Sequence, residues 1–208
     1  MQSRAITGLS NDPNTVIKNF NLKLRQRVLN SDAINYGLTL AHMRKNDLAS
    51  AKQLISVLIA NNPEQLIFRH TDIEIDVASE RLKSAEAKVD TLLKKNPTSY
   101  PLLLLKSEVS LKRKKYHQSS ELLDSLTKHR PADPDIWYRL AEVNGLAGDI
   151  AGVHKARAEY FILVGAFDRA RKQLGRAATL LKDDFKESAM IRQRLRDLIK
   201  MEDRVIKL

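Results

Sequence analysis

Three of the chain's six prolines, Pro63, Pro97 and Pro131, stand 34 residues apart. Proline lacks a backbone N–H and keeps the residue before it out of the helical region, so an evenly spaced series interrupts a helical chain at fixed intervals. Small and apolar residues recur at the same pitch. Ala51, Ile55 and Leu58 precede Pro63; Ala85, Val89 and Leu92 precede Pro97; Ser119, Leu123 and Leu126 precede Pro131. Steps of three and four residues within each triplet are helical, and the small leading residue lets one helix approach another closely. A chain of 208 residues with this period is expected to fold as repeated helix–turn–helix units rather than around one central core.

The units run over about 32–65, 66–99 and 100–133. Their predicted helices are Ala33–Arg44 with Leu48–Ala60, Leu66–Ala78 with Leu82–Lys95, and Tyr100–Arg113 with Tyr116–Lys128. A fourth unit begins at Asp133-Pro134, where Asp caps and Pro takes the first helical position. Its first helix reaches Asn144, Gly145–Gly148 forms the turn, and Ile150–Val164 follows with no proline break. Gly165 then turns the chain into Phe167–Leu181, so Ile150–Val164 and Phe167–Leu181 make a further, shorter unit. An amphipathic helix, about Phe185–Lys207, ends the series. The period, with Trp137, Leu140, Ala141 and Ala51, resembles tetratricopeptide repeats. The expected fold class is all-α, with tetratricopeptide-like hairpins stacked as a right-handed solenoid; an ordinary helical bundle is the alternative. The second unit departs from the pattern. Asp72 and Asp76 stand where the first helix would bury apolar groups, which predicts a distorted or partly exposed helix there.

Residues 31–208 are read as the repeat domain, with its last helix as a cap. Residues 1–30 lie outside the period: Ser10–Pro13 reads as a loop and Thr15–Leu29 as an amphipathic helix, either an N-terminal cap or a linker. Cysteine is absent, which excludes disulfides, thiol catalysis and Cys-based metal sites. No run approaches the ~20 apolar residues of a membrane span, and the N-terminus has no apolar secretory signal.

In a stack of such units the first helix of each pair is expected to line a groove. Two rows then share the 34-residue step and a four-residue offset: Tyr36, His70, Leu104 and Tyr138, and Leu40, Glu74, Glu108 and Glu142. Aromatic rings with polar tips beside carboxylates suit a protein or extended-peptide partner. The bland alternative assigns these residues to helix packing or solvated surface, and Trp137 to the core. His70 and Glu74, with Asp72 and Asp76 nearby, are the only candidate metal set, and a helix-stabilising polar pair explains them as well. No third ligand has suitable spacing, so no metal site, cofactor or catalytic residue is assigned, and a metal-dependent enzyme using His70 and Glu74 stands as the least favoured alternative. The net charge of +11 is spread along the chain. It clusters at Lys112, Arg113, Lys114 and Lys115, in a turn, and around Arg169, Arg171, Lys172, Arg176, Arg192, Arg194, Arg196 and Arg204. These are read as solvated or docking surface, with anionic-membrane or nucleic-acid contact as alternatives.

The segments A-R-A-E-Y at Ala156–Tyr160, G-A-F-D-R-A at Gly165–Ala170, I-R-Q-R-L-R-D-L at Ile191–Leu198 and A-I-N-Y-G-L-T-L-A at Ala33–Ala41 carry a further likeness. Together they resemble the carboxy-terminal repeat region of M48-family zinc metalloproteases, over roughly residues 31–205. The nearest likeness is to periplasmic members that support outer-membrane β-barrel assembly. The resemblance implies a periplasmic, non-catalytic binding module that engages substrates, the assembly machinery or the cognate protease domain. The family's zinc would sit in that protease domain, whose H-E-x-x-H is not in this sequence.

Overall fold

The computed structural model describes residues 12–26 and 31–206, and every element among them is an α-helix. Residues 10–11, 27–29 and 207, which belong to the predicted first loop, first helix and last helix, lie outside the described residues. The chain divides into two compact bodies, Met1–Pro97 and Thr98–Leu208. No described helix is long and apolar enough to cross a membrane.

The N-terminal body holds α1 (Pro13–Gln26), α2 (Ser31–Arg44), α3 (Leu48–Asn61), α4 (Leu66–Ala78) and α5 (Leu82–Lys95). The C-terminal body holds α6 (Tyr100–Lys112), α7 (Tyr116–His129), α8 (Pro134–Ala147), α9 (Ile150–Leu163), α10 (Phe167–Leu180) and α11 (Phe185–Ile206). The proline punctuation acts as the physics requires. The residues before the three prolines, Asn62, Asn96 and Arg130, all leave the helical region at φ −135° with ψ 64–67°. Each ends its helix on a backbone bond back to Leu58, Leu92 or Leu126.

The period is written a second time in the backbone of the other turn. Asn46, Glu80, Lys114 and Gly148, again 34 residues apart, all take positive φ, at 61°, 56°, 60° and 82°. Each turn closes through the same two bonds, as from Asn46 N to Met43 O (3.0 Å) and Asp47 N to His42 O (2.9 Å). The small residues Ala51, Ala85 and Ser119 are fully buried, as their recurrence predicts.

In the N-terminal body, α1 lays Val16 and Phe20 against Ile34, Leu38 and Ala41 of α2. The approach depends on Gly37: a Cβ there would lie 2.4 Å from Cζ of Phe20. A second core joins Tyr36, Ala51, Ile55, Leu58 and Ile75. The distortion expected of the second repeat is absent. Helix α4 is regular, and Asp72 and Asp76 are buried within it. Lys52 of α3 and Lys88 of α5 reach them from either side, so charge compensation replaces apolar packing.

In the C-terminal body the phase changes. The next left-handed residue after Gly148 is Gly165, 17 residues on. Its turn repeats the pair of bonds, from Gly165 N to Ile162 O (3.1 Å) and from Ala166 N to Phe161 O (2.8 Å). Helix α9 therefore closes one hairpin with α8 and opens another with α10, and it packs against both. The α10–α11 junction returns to the proline-type pattern without a proline, through Leu181 N to Ala177 O and Asp184 N to Leu181 O, both 3.0 Å. Ala158, Ile162, Ala170, Leu174, Ile191 and Leu198 form the core of this terminal part.

Candidate functional site

A helix that serves two hairpins turns one side to each partner. Around α9 the half-period step leaves space between α7 and α8 on one side and α9 and α11 on the other. The result is a cleft of about 520 Å³ within the C-terminal body. Its floor is apolar: Leu140, Ala156, Leu174 and Ile191 are buried, while Met190 stands 57% exposed at the edge. Small residues on α9 hold the wall close. Gly152 sits against the α8–α9 turn so tightly that a Cβ would lie 2.1 Å from Oδ2 of Asp149 and 2.6 Å from Nδ2 of Asn144.

The polar lining is ordered by hydrogen bonds. Asp149 caps α9 by accepting from Gly152 N (2.8 Å), and Ser120 Oγ donates to Asn144 Oδ1 (2.5 Å). Two ion pairs tie α9 to α11. Lys155 Nζ donates to Glu187 Oε2 (2.8 Å), and Arg194 grips Glu159 with two bonds (2.7 and 2.5 Å). The Glu159 hydrogen bonds raise the Arg194 pKa above its ordinary value against the opposing effect of burial. Glu121 and Asp124 of α7 complete the rim.

The groove rows are divided between the two bodies. In the N-terminal body Tyr36 is corrected from a groove anchor to a packing residue. It is buried, its hydroxyl shares a 3.1 Å hydrogen bond with that of Thr71, and its ring lies 5.3 Å from Phe68. Leu40 packs half-buried on the same core. His70 Nδ1 and Glu74 Oε2 approach to 3.5 Å, a one-turn pair on the helix. Asp72 and Asp76 turn to the lysines, so the four acidic and imidazole groups of α4 do not assemble as a set.

In the C-terminal body Leu104 packs half-buried against the α7–α8 core, and Glu108 is half-buried. Tyr138 and Glu142 are exposed, with the Tyr138 ring edge-on to Tyr160 at 5.6 Å. Trp137, read as core, is half-buried: it packs on that core, donates Nε1–H to Pro131 O (2.8 Å) and lines the cleft as well. The basic turn stands at the α6–α7 junction, with Lys112 and Lys114 exposed and Lys114 in the left-handed conformation. The basic cluster of the last helices is partly consumed internally, since Arg194 holds Glu159 and Arg171 holds Asp168 and Glu202.

Sequence reasoning noted the shorter terminal unit but missed the cleft it creates. The available signal was the 17-residue step between Gly148 and Gly165. Lys155 and Glu159 stand as far before Gly165 as Tyr138 and Glu142 stand before Gly148, so the groove rows continue at half phase into the cleft.

The fold has solved counterparts. A tetratricopeptide repeat protein from Parabacteroides merdae superposes with a TM-score of 0.59 over 95% of this chain and 84% of its own, at 14% identity. MamA from Desulfovibrio magneticus gives 0.58 over 83% and 97%, at 17% identity. A thermophilic tetratricopeptide repeat protein of Thermus thermophilus gives 0.52 over 81% and 99%, at 14% identity. No protein-family model and no curated protein matches the sequence. At these identities the likeness shows the fold alone: the described residues form a helical repeat fold like that of tetratricopeptide repeats.

Proposed function

We propose that this chain is a non-catalytic protein-binding module and that segments of other proteins seat in the cleft of the C-terminal body. The observation that carries the reading is the cleft itself, an open apolar floor with an ordered polar rim, built on five helices rather than on loops. Rigid walls lower the ordering cost of binding, and an apolar pocket with convergent polar groups is the usual form of a recognition site. Tyr138 and Glu142, exposed on α8, offer a second contact along the same helix.

The finer reading places the module in a periplasmic M48-type metalloprotease, where it would hold substrates or outer-membrane assembly partners for a zinc-bearing domain. The support is the sequence resemblance; three of the four segments that carry it lie together in the C-terminal body, and Ala33–Ala41 lies in the N-terminal one. Ala158, Ala170, Ile191 and Leu198 share a core, and Glu159 of the first segment pairs with Arg194 of the third.

The chain has four methionines, so methyl-labelled methionine gives a sparse NMR spectrum in which Met190 reports on the cleft and Met43 on the N-terminal body. Titration with an unfolded outer-membrane β-barrel protein is expected to shift Met190 and leave Met43 in place. Met190→Ser, a rim change with little cost to folding that adds no charge, is expected to weaken that binding severalfold. Binding that leaves Met190 unmoved and ignores the substitution would remove the cleft from the function.

A further inference from the structure

We infer that the occupant of the cleft is a cationic segment of another protein, in which a mid-sized apolar side chain is flanked by lysine or arginine. This rests on the reading of the cleft as a protein site and adds the charge of the partner.

The lining holds five carboxylates, Glu121, Asp124, Asp149, Glu159 and Glu187, against two cations, Lys155 and Arg194. Both cations are spent, Lys155 on Glu187 and Arg194 on Glu159. Glu121, Asp124 and Asp149 remain outside those two pairs. Asp124 touches Lys128 at 2.7 Å, but both are well exposed, at 54% and 72%, and such a pair exchanges partners at little cost. Asp149 spends one oxygen on its helix cap and is otherwise open to solvent. Glu121 is exposed on the outer edge of α7.

A locally negative mouth over an apolar floor, in a chain of net charge +11, selects a ligand with an apolar anchor and positive neighbours. An acidic segment would meet repulsion at the rim with no free cation to receive it.

The test uses the full chain with methyl-labelled methionine and three short peptides. Each carries a central leucine, flanked by lysines in one, serines in the second and glutamates in the third. The lysine peptide is expected to shift Met190, with an affinity that falls several-fold from low to high salt. The serine peptide should bind about tenfold more weakly and the glutamate peptide not at all. Glu121→Lys with Asp124→Lys, both exposed and checked for fold by circular dichroism, should cost the lysine peptide about tenfold.

Equal shifts of Met190 by all three peptides would overturn the charge class while leaving the cleft as the site. No shift of Met190 by any of them would overturn both readings. A Met190 shift that grows with protein concentration alone, alongside a doubled mass in sedimentation, would assign the cleft to a second copy and overturn the proposal.

Discussion

Replacing Asp76 with alanine removes the centre of the buried charge cluster in the N-terminal body. Asp76 is 1% exposed and accepts from four side chains: Lys52 Nζ (2.7 Å), Lys88 Nζ (2.5 Å), Arg81 Nε (3.0 Å) and Ser84 Oγ (2.9 Å). Removing one partner of a buried ion pair costs about 3–5 kcal/mol. Two features place this site at the lower end. Both lysines keep Asp72, each at 2.5 Å, and they are 29% and 37% exposed, so water takes part of the load.

The expected loss is about 3 kcal/mol at neutral pH, a large share of the ~5–15 kcal/mol that holds a domain folded. With a urea slope of about 2–3 kcal/mol/M, the far-UV midpoint of the N-terminal transition should fall by about 1 M. The sole tryptophan, Trp137, lies in the other body and reports separately on it.

The pH dependence supplies a second check. Burial by itself would raise the Asp76 pKa. The hydrogen bonds from Lys52, Lys88, Arg81 and Ser84 outweigh it and hold the carboxyl well below its ordinary range. An unfolded aspartate titrates near ~3.9, above the folded group. The unfolded chain therefore takes up the proton first as pH falls. The stabilisation is complete above about pH 5 and is lost progressively as pH drops through ~4 toward the lower folded value. The gap between wild type and Asp76→Ala should narrow over that interval. A loss under about 0.5 kcal/mol at pH 7, or a gap independent of pH, would refute the claim that the cluster stabilises this body.

Three further substitutions probe the backbone. Gly37→Ala puts a methyl 2.4 Å from the Phe20 ring, which is 2% exposed, so the ring or α1 must shift. It should cost about 2 kcal/mol, seen as faster amide exchange across α1, and unchanged exchange would refute the close approach. Lys114→Gly relieves a side chain held at φ 60° and should be neutral to stabilising by about 0.5–1 kcal/mol, whereas Gly148→Ala, at φ 82°, should destabilise by about 1 kcal/mol in thermal melts. The same sign for both would show that turn strain is not what separates them.

Much of the fold is legible in the chain. The proline period placed the helices to within a residue or two at most ends, because the residue before proline cannot remain helical. The left-handed residues of the other turn were harder to read. Asn46, Glu80, Lys114 and Gly148 share a conformation but no chemistry, so only the last announces itself. One repeat position can hold residues in different surroundings. Tyr36 and Tyr138 share a repeat position, yet Tyr36 is covered by Phe68 while Tyr138 meets Tyr160 and stays half open.

Asp72 and Asp76 show where local reading stops. On α4 alone they contradict a buried face, and their partners lie on other helices, Lys52 20 residues before Asp72 and Lys88 16 residues after it. The cleft has the same origin. Each of its walls is an ordinary α-helix, and the space exists because Gly165 turns the chain half a period early.

The sequence by itself determined the helical period, its punctuation and the small residues at helix contacts, since these follow from proline sterics and 3.6-residue spacing within short stretches. Only the tertiary structure decided which charges are buried in pairs, which tyrosine is exposed and where the cleft opens. Those outcomes depend on side chains from separate helices meeting in space, and burial and charge compensation are properties of that meeting rather than of any one segment.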